Sequence, residues 1–262
     1  MHQDSDHPGI LLDIDGVLHV GSAPIDGAVD TLQWLRSQGI PHRFITNTTT
    51  RTAESLADTL SGMGIEVSPD QLFSAVTATQ RYLAQRGHRH PLLVVDDAVR
   101  ESFGVDDRDP DDPDCVVIGD IGPRWDHALL GRLFQALMQG AELIAMHRNR
   151  YWQSAEGLSL DIGCYVAGLE YAAQIRATVI GKPNEAFFAL AAEDMERTPA
   201  QCIMVGDDID SDVGGAQTAG MRGLLVQTGK YRDTTLQRTA VKPDAVLPSI
   251  AALPDWLRSQ QP

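Results

Sequence analysis

The chain has 262 residues, 36 acidic against 21 basic, and a formal charge of -15. So negative a surface repels polyanions on average, which argues against nucleic acid, and no apolar run approaches the ~20 residues of a membrane-spanning helix. The length allows one large core or two smaller ones. The cysteines, Cys115, Cys164 and Cys202, lie far apart in or beside apolar segments, as reduced thiols of a cytoplasmic protein do. Residues Met1 to Pro8 have neither the basic nor the apolar region of a signal peptide.

The first apolar run, Ile10 to Leu18, reads Ile-Leu-Leu-Asp-Ile-Asp-Gly-Val-Leu and predicts a short buried strand. Alternation along a strand puts Asp13 and Asp15 on one side and turns Ile14 to the core. Gly16 lets the chain leave the strand end at dihedrals other residues resist. Two carboxylates so placed raise each other's proton affinity unless a cation lies between them. That points to a hard metal with oxygen ligands, most simply Mg2+. An Asp-x-Asp-Gly turn closing a strand is the alternative for this stretch taken alone.

A helix over 26–37, capped by Asp26, ends at Gly39, and a strand over 42–46 runs into Thr46-Asn47-Thr48-Thr49. A further helix over 53–63 ends at Gly64. Strand, helix, strand, helix predicts a parallel sheet with crossover helices, in which ligands bind beyond the carboxyl ends of the strands. The texture then changes: a helix over 75–85, strands over 91–95 and 115–118, a helix over 127–138, a strand over 143–146 and a helix over 165–174. Between the first two of these strands, Asp106 to Asp114 is read as a solvated acidic loop, since its prolines spoil a regular calcium loop. This middle portion alternates on its own account and reads as a second αβ unit inserted into the first.

Near Ala177 the first pattern resumes. A strand over 178–180 ends in Gly181-Lys182-Pro183, with Asn184 capping the next helix. A strand over 202–205 ends in Gly206-Asp207-Asp208-Ile209-Asp210-Ser211-Asp212. A helix over 213–219, strands over 223–226 and 244–247, and a helix over 250–257 close the chain. Four strand ends thus carry polar residues: Asp13 and Asp15, Thr46 and Asn47, Lys182, and Asp207 with Asp212. Singly each reads as a turn, a cap or an exposed lysine. Jointly, at one topological place in a parallel sheet, they predict a common site.

This ordered set resembles the haloacid dehalogenase superfamily of phosphatases and phosphotransferases, whose motifs run Asp-x-Asp-x, Ser/Thr, Lys and Gly-Asp-x-x-x-x-Asp. Similarity through Asp-Gly-Val-Leu, Gly-Ala-Glu-Leu-Ile-Ala, Gly-Lys-Pro and Asp-Val-Gly-Gly-Ala-Gln covers most of the chain. It is greatest with subfamily IIA, which has a large αβ cap, and there with phospholysine/phosphohistidine/inorganic pyrophosphate phosphatase-like proteins. The resemblance implies a Rossmann-like α/β core, discontinuous over 1–76 and 178–262, and an inserted α/β cap over 77–177.

It also implies an Mg2+-dependent phosphatase acting on a small phosphorylated metabolite. Asp13 matches the family nucleophile, which forms an aspartyl-phosphate, and Asp15 the general acid and base. Asp13, the main-chain carbonyl of Asp15 and Asp207 match the metal ligands, with Asp212 orienting a bound water or ligand. The Thr46 hydroxyl and Asn47 N–H match phosphate donors, and Lys182 the cation that offsets the charge of nucleophile and substrate. Asp208 has no assigned role. His147 and Arg148, in His147-Arg148-Asn149-Arg150, are read as a substrate-facing loop of the cap, with a basic solvated turn as the alternative. Relatives more often carry Thr-Asn at Met146-His147 and a Gly-Pro-Gly-like stretch near Asp161-Ile162-Gly163. Both departures bear on the substrate more than on the reaction. The resemblance allows a homodimer and leaves a phosphotransferase or mutase open. A receiver-like phospho-accepting module fits less well, because Asp15 would speed hydrolysis of the intermediate that such a switch must keep.

Overall fold

The computed structural model describes residues 7–105, 111–154 and 157–260, so positions 106–110 of the acidic run lie outside the described residues. The chain divides into two compact units, one of 1–46, 53–73 and 182–262, the other of 47–52 and 74–181.

The first unit holds a six-stranded sheet in the order Ala245–Leu247, Arg222–Val226, Cys202–Gly206, Gly9–Asp13, His42–Thr46, Leu72–Ser74. The first five strands pair in parallel. Gly9–Asp13 is buried along its whole length, as its unbroken apolar run requires of a strand covered on both faces. Its register sets the site: Leu12 lies opposite Val205 and Phe44, and Asp13 opposite Ile45. Asp13 therefore ends its strand level with its neighbours, and Thr46 and Asp207 follow within one or two residues. Ile10, Leu12, Phe44, Val205 and Leu224 meet Leu32, Leu35, Leu60 and Leu253 in one core. Phe187 and Phe188, in helix Glu185–Glu193, are fully buried as well.

Local differences from the sequence reading have physical causes. The first helix starts at Ala28 with Gly27, not Asp26, as its cap. Gly27 sits at φ 79, and a Cβ there would come 2.6 Å from that of Ala251, so only glycine fits the close approach. The turn after Asp15 is a hairpin, His19–Val20 paired with Ala23–Pro24, too short to leave a strand signal. Ile209–Gly214 is a π-helical turn leading into helix Gly215–Thr218.

The second unit has its own parallel sheet, ordered Thr178–Val179, Glu142–Ala145, Cys115–Ile118, Pro91–Val94. Leu92, Val116, Ile118, Leu143, Leu133 and Val166 form its core with helices His127–Met138 and Gly163–Ala173. An antiparallel pair, Tyr151–Ser154 with Gly157–Leu160, is attached. Here one expectation is corrected. The strand before Lys182 does not resume the first sheet: Thr178–Val179 pairs with Ile144 and Ala145, and Ile180 N and Gly181 N donate to Ala145 O and Met146 O at 2.9 and 2.8 Å. A strand following helix Gly163–Ala173 fits the open edge of Glu142–Ala145 as the next crossover, and short-range pairing prevails over the distant sheet. The edge of the first sheet is taken instead by Leu72–Ser74, three apolar-to-polar residues without a readable period. Among the described residues no helix is long and apolar enough to cross a membrane.

Candidate active site

Asp13, 5 % exposed, receives Lys182 across the strand end: Lys182 Nζ lies 2.7 Å from Asp13 Oδ1 and 2.7 Å from Asp212 Oδ1. The ammonium is buried and joins two carboxylates. Asp212 arrives through the π-helical turn and is buried. Its Oδ2 accepts the Asp208 N–H at 3.0 Å, so both of its oxygens are engaged. Gly206 makes this possible, since a Cβ there would fall 2.3 Å from that of Asp212. Asp208 caps the turn, its Oδ1 accepting the N–H groups of Asp210 and Ser211 at 3.1 and 3.0 Å.

Asp207 is held differently. Its Oδ2 accepts the Lys230 main-chain N–H at 2.7 Å. Gly16, at φ +84, and Gly229, at φ +58, flank that oxygen, and a Cβ on either would stand 1.9 or 2.0 Å from it. The two glycines make a slot for one carboxylate. Asp207 Oδ1 is buried and has no hydrogen-bond partner among the described residues. The Thr228 hydroxyl donates to Gly16 O and ties the two loops together. Thr228-Gly229-Lys230, just beyond strand Arg222–Val226, was missed in the sequence, although Gly-Lys at a strand end is a readable signal.

The charges do not balance. Donor oxygens of Asp13, Asp207 and Asp212 lie within 4.8 Å of one another, and among the described residues Lys182 makes the ion pairs to them, with Asp13 and Asp212. Burial, reinforced by the charges of Asp13 and Asp212, pushes Asp207 up to about 8. Burial likewise pushes Asp212 up to about 6, against the opposing pull of Lys182. Lys182 pays a desolvation penalty, but Asp13 and Asp212 outweigh it and keep the ammonium charged. Excess buried negative charge and an orphaned carboxylate oxygen suit one hard divalent cation with oxygen ligands. The residues fit Mg2+.

Among the other expected residues, Thr46 is buried at the end of its strand, beside that of Asp13. The Asp15 side chain is 70 % exposed, with its Oδ1 3.7 Å from His19 Nε2. Asn47 belongs to the second unit, as do His147 and Arg148. In that unit Thr49 Oγ1 accepts the Asp120 N–H at 3.0 Å. His147 is buried, its Nε2 3.7 Å from Asp161 Oδ1. Arg148 reaches Glu170 Oε2 at 2.5 Å, and the same carboxylate accepts the Ala177 N–H at 3.0 Å. Arg148 thus supports the local packing of its own unit.

Residues 10–104 match the family model described as haloacid dehalogenase-like hydrolase, and 179–253 match a second HAD-hydrolase-like model. A bovine haloacid dehalogenase-like hydrolase domain-containing protein 2 is 40% identical over 223 residues, 85% of each chain. The chain is a haloacid dehalogenase-like hydrolase. A zebrafish phospholysine phosphohistidine inorganic pyrophosphate phosphatase is 39% identical over 94% of this hydrolase and 93% of its own length. Among solved structures, a 4-nitrophenylphosphatase from Thermotoga maritima superimposes with a TM-score of 0.88 at 26% identity, over 95% of this chain and 97% of its own. The family resemblance drawn from the four motifs, and the Rossmann-like α/β fold it implied, therefore hold over nearly the whole hydrolase.

Proposed function

We propose that this hydrolase is an Mg2+-dependent phosphatase of the cytoplasm acting on a small phosphorylated metabolite through an aspartyl-phosphate on Asp13. The observation that carries the reading is the buried Lys182–Asp13 pair beside the open oxygen of Asp207. It offers a carboxylate nucleophile with a fixed cation and an unsatisfied oxygen to meet a second one. The named activities of the zebrafish and Thermotoga relatives support the same chemistry.

In the first step an Asp13 oxygen attacks phosphorus and the bond to the leaving group breaks, with Asp15 donating a proton to that group. In the second, water attacks the acyl-phosphate, Asp15 takes its proton, and phosphate leaves with Asp13 restored. Exposure suits Asp15 to proton exchange. Mg2+ held by Asp13, the Asp15 carbonyl and Asp207, with Asp212 engaged through water, would supply the positive charge that lets a carboxylate meet a phosphate dianion. Lys182 offsets charge on Asp13 and on the phosphoryl oxygens, while the Thr46 hydroxyl and Asn47 N–H donate to those oxygens. The second unit is read as the inserted cap, supplying substrate contacts and excluding water.

The test is phosphate release from p-nitrophenyl phosphate, sugar phosphates, phosphoamino acids and pyrophosphate. Each is run with Mg2+, with chelator and with Asp13→Ala. Release requiring both metal and Asp13 is expected, and release that survives Asp13→Ala sinks the mechanism. Phosphoryl delivered to an added alcohol in place of water would make the enzyme a phosphotransferase.

A further inference from the structure

Where the parallel strands of the second sheet begin, a polar cluster lies outside the residues given roles above. Helix Ala75–Arg86 ends at Gly87, φ 75, and the chain turns back so that His88 N donates to Leu83 O at 3.1 Å. This sets His88 against Asp114 and Cys115, at the start of Cys115–Ile118, and against Glu142, which opens Glu142–Ala145. One donor atom from each of His88, Asp114 and Cys115 lies within 4.8 Å of the other two.

The two imidazole nitrogens face different partners. Nε2 is 3.0 Å from Glu142 Oε2, and Nδ1 is 3.5 Å from Asp114 Oδ1. Glu142 is itself fixed, its Oε1 accepting the hydroxyls of Tyr82 and Thr178, both at 2.7 Å. Asp114 Oδ2 accepts the N–H groups of Arg89 and His90 at 2.6 and 3.2 Å. Its Oδ1, on the His88 side, is shut off from solvent, and the Cys115 thiol hydrogen-bonds the same carboxylate.

We propose that His88 Nδ1, Asp114 Oδ1 and Cys115 Sγ form a site for a zinc-type divalent metal, with Glu142 as the carboxylate that orients His88. A histidine held through one nitrogen by a carboxylate, its other nitrogen facing further donors, is how proteins aim a metal-ligating imidazole. Sulfur, imidazole and carboxylate together favour Zn2+ or Co2+ over Mg2+. Donor separations in a tetrahedral zinc site are about 3.3–3.8 Å, so side-chain movements of ~1 Å close the cluster. Burial and the nearby charges of Asp114 and Glu142 push the Cys115 thiol well up, so it is protonated without metal. Its proton passes to solvent as the sulfur–metal bond forms. The His88 and Asp114 side chains are 12 % and 35 % exposed, so the movement that closes the cluster is also what would admit a water as fourth ligand. Joining one strand start, and through Glu142 a second, to the end of a helix, the metal would act on stability.

The test uses the full chain, stripped of metal and titrated with Co2+ in excess Mg2+. A near-ultraviolet sulfur-to-cobalt charge-transfer band is expected, saturating at one cobalt per chain and displaced by Zn2+. The oxygen-only Asp13 site produces no such band. Cys115→Ala and His88→Gln are expected to lose it, and Glu142→Gln to weaken cobalt binding about 10–100-fold. Absence of the band from the unsubstituted protein overturns the site without reference to any variant and leaves a metal-free hydrogen-bonded network. A band that persists in Cys115→Ala assigns it to another cysteine and overturns the proposal equally.

Discussion

Lys182 Nζ lies 2.7 Å from Asp13 Oδ1, both groups almost wholly removed from water. The pair fixes Asp13, the proposed nucleophile, at the end of the central strand. Lys182→Met leaves Asp13 and Asp212 without their cation. Turnover is expected to fall about 10^2–10^3-fold. At pH 8 the metal-free protein should lose about 3–5 kcal/mol, and less near pH 5, where Asp212, pushed up to about 6, takes up its proton. Denaturant unfolding at the two pH values reads both effects. Equal losses would mean that the pair is not the uncompensated charge.

Asp15 stands outside the buried cluster, and its side chain is 70 % exposed. Asp15→Asn should therefore leave the unfolding midpoint unchanged while slowing turnover about 10^2–10^4-fold. With breakdown of the intermediate slowed, a phosphoryl group should be trapped on Asp13 after a brief exposure to substrate and acid quench. Mass spectrometry showing no modified Asp13 under those conditions would count against the two-step route.

The pH dependence of the metal-free protein has a definite sign. Asp207 rises from 3.8 to about 8 on folding, and Asp212 from 3.8 to about 6, in both cases chiefly through burial. A carboxyl that binds its proton more tightly when folded adds stability that is full below pH ~4 and is lost as pH rises through the folded value. Thermal midpoints in chelator should fall between pH 5 and 8, and saturating Mg2+ should flatten the fall. Parallel pH curves with and without Mg2+ would show that the carboxylates do not hold the ion.

Gly229→Ala puts a methyl group 2.0 Å from Asp207 Oδ2 and 2.5 Å from Gly16 Cα, at φ +58. The expected result is a loss of at least about 1–3 kcal/mol together with weakened Mg2+ binding. Gly21→Ala is the control, with φ +59 and no atom within 4 Å of the added Cβ. It should cost only the ~1 kcal/mol of backbone strain and leave Mg2+ binding alone. Calorimetric titration with Mg2+ separates the two, and equal affinities in both variants would remove the slot argument.

Much of this arrangement is legible in one dimension. The switch from apolar run to Asp13-Ile14-Asp15-Gly16, and again to Gly206-Asp207, announces strand ends because a buried strand can carry carboxylates only where it leaves the core. Order along the chain then identifies the family, and with it the sheet in which those ends align. Alignment itself follows from register, which sets Asp13 opposite Ile45. The resemblance already set Lys182 against Asp13; how residues far apart in sequence arrive at their contacts was decided only by the tertiary structure. Lys182 follows a strand that completes the second sheet, yet its ammonium reaches Asp13. Gly16 and Gly229 close on one oxygen of Asp207 from loops at opposite ends of the chain, and no local period encodes such an encounter. Arg148, read as part of a substrate-facing loop, is drawn to Glu170, because a carboxylate buried in a helix has to be paired. Patterning determines where the chain turns polar; burial, which depends on every neighbour at once, determines which of those polar groups must meet.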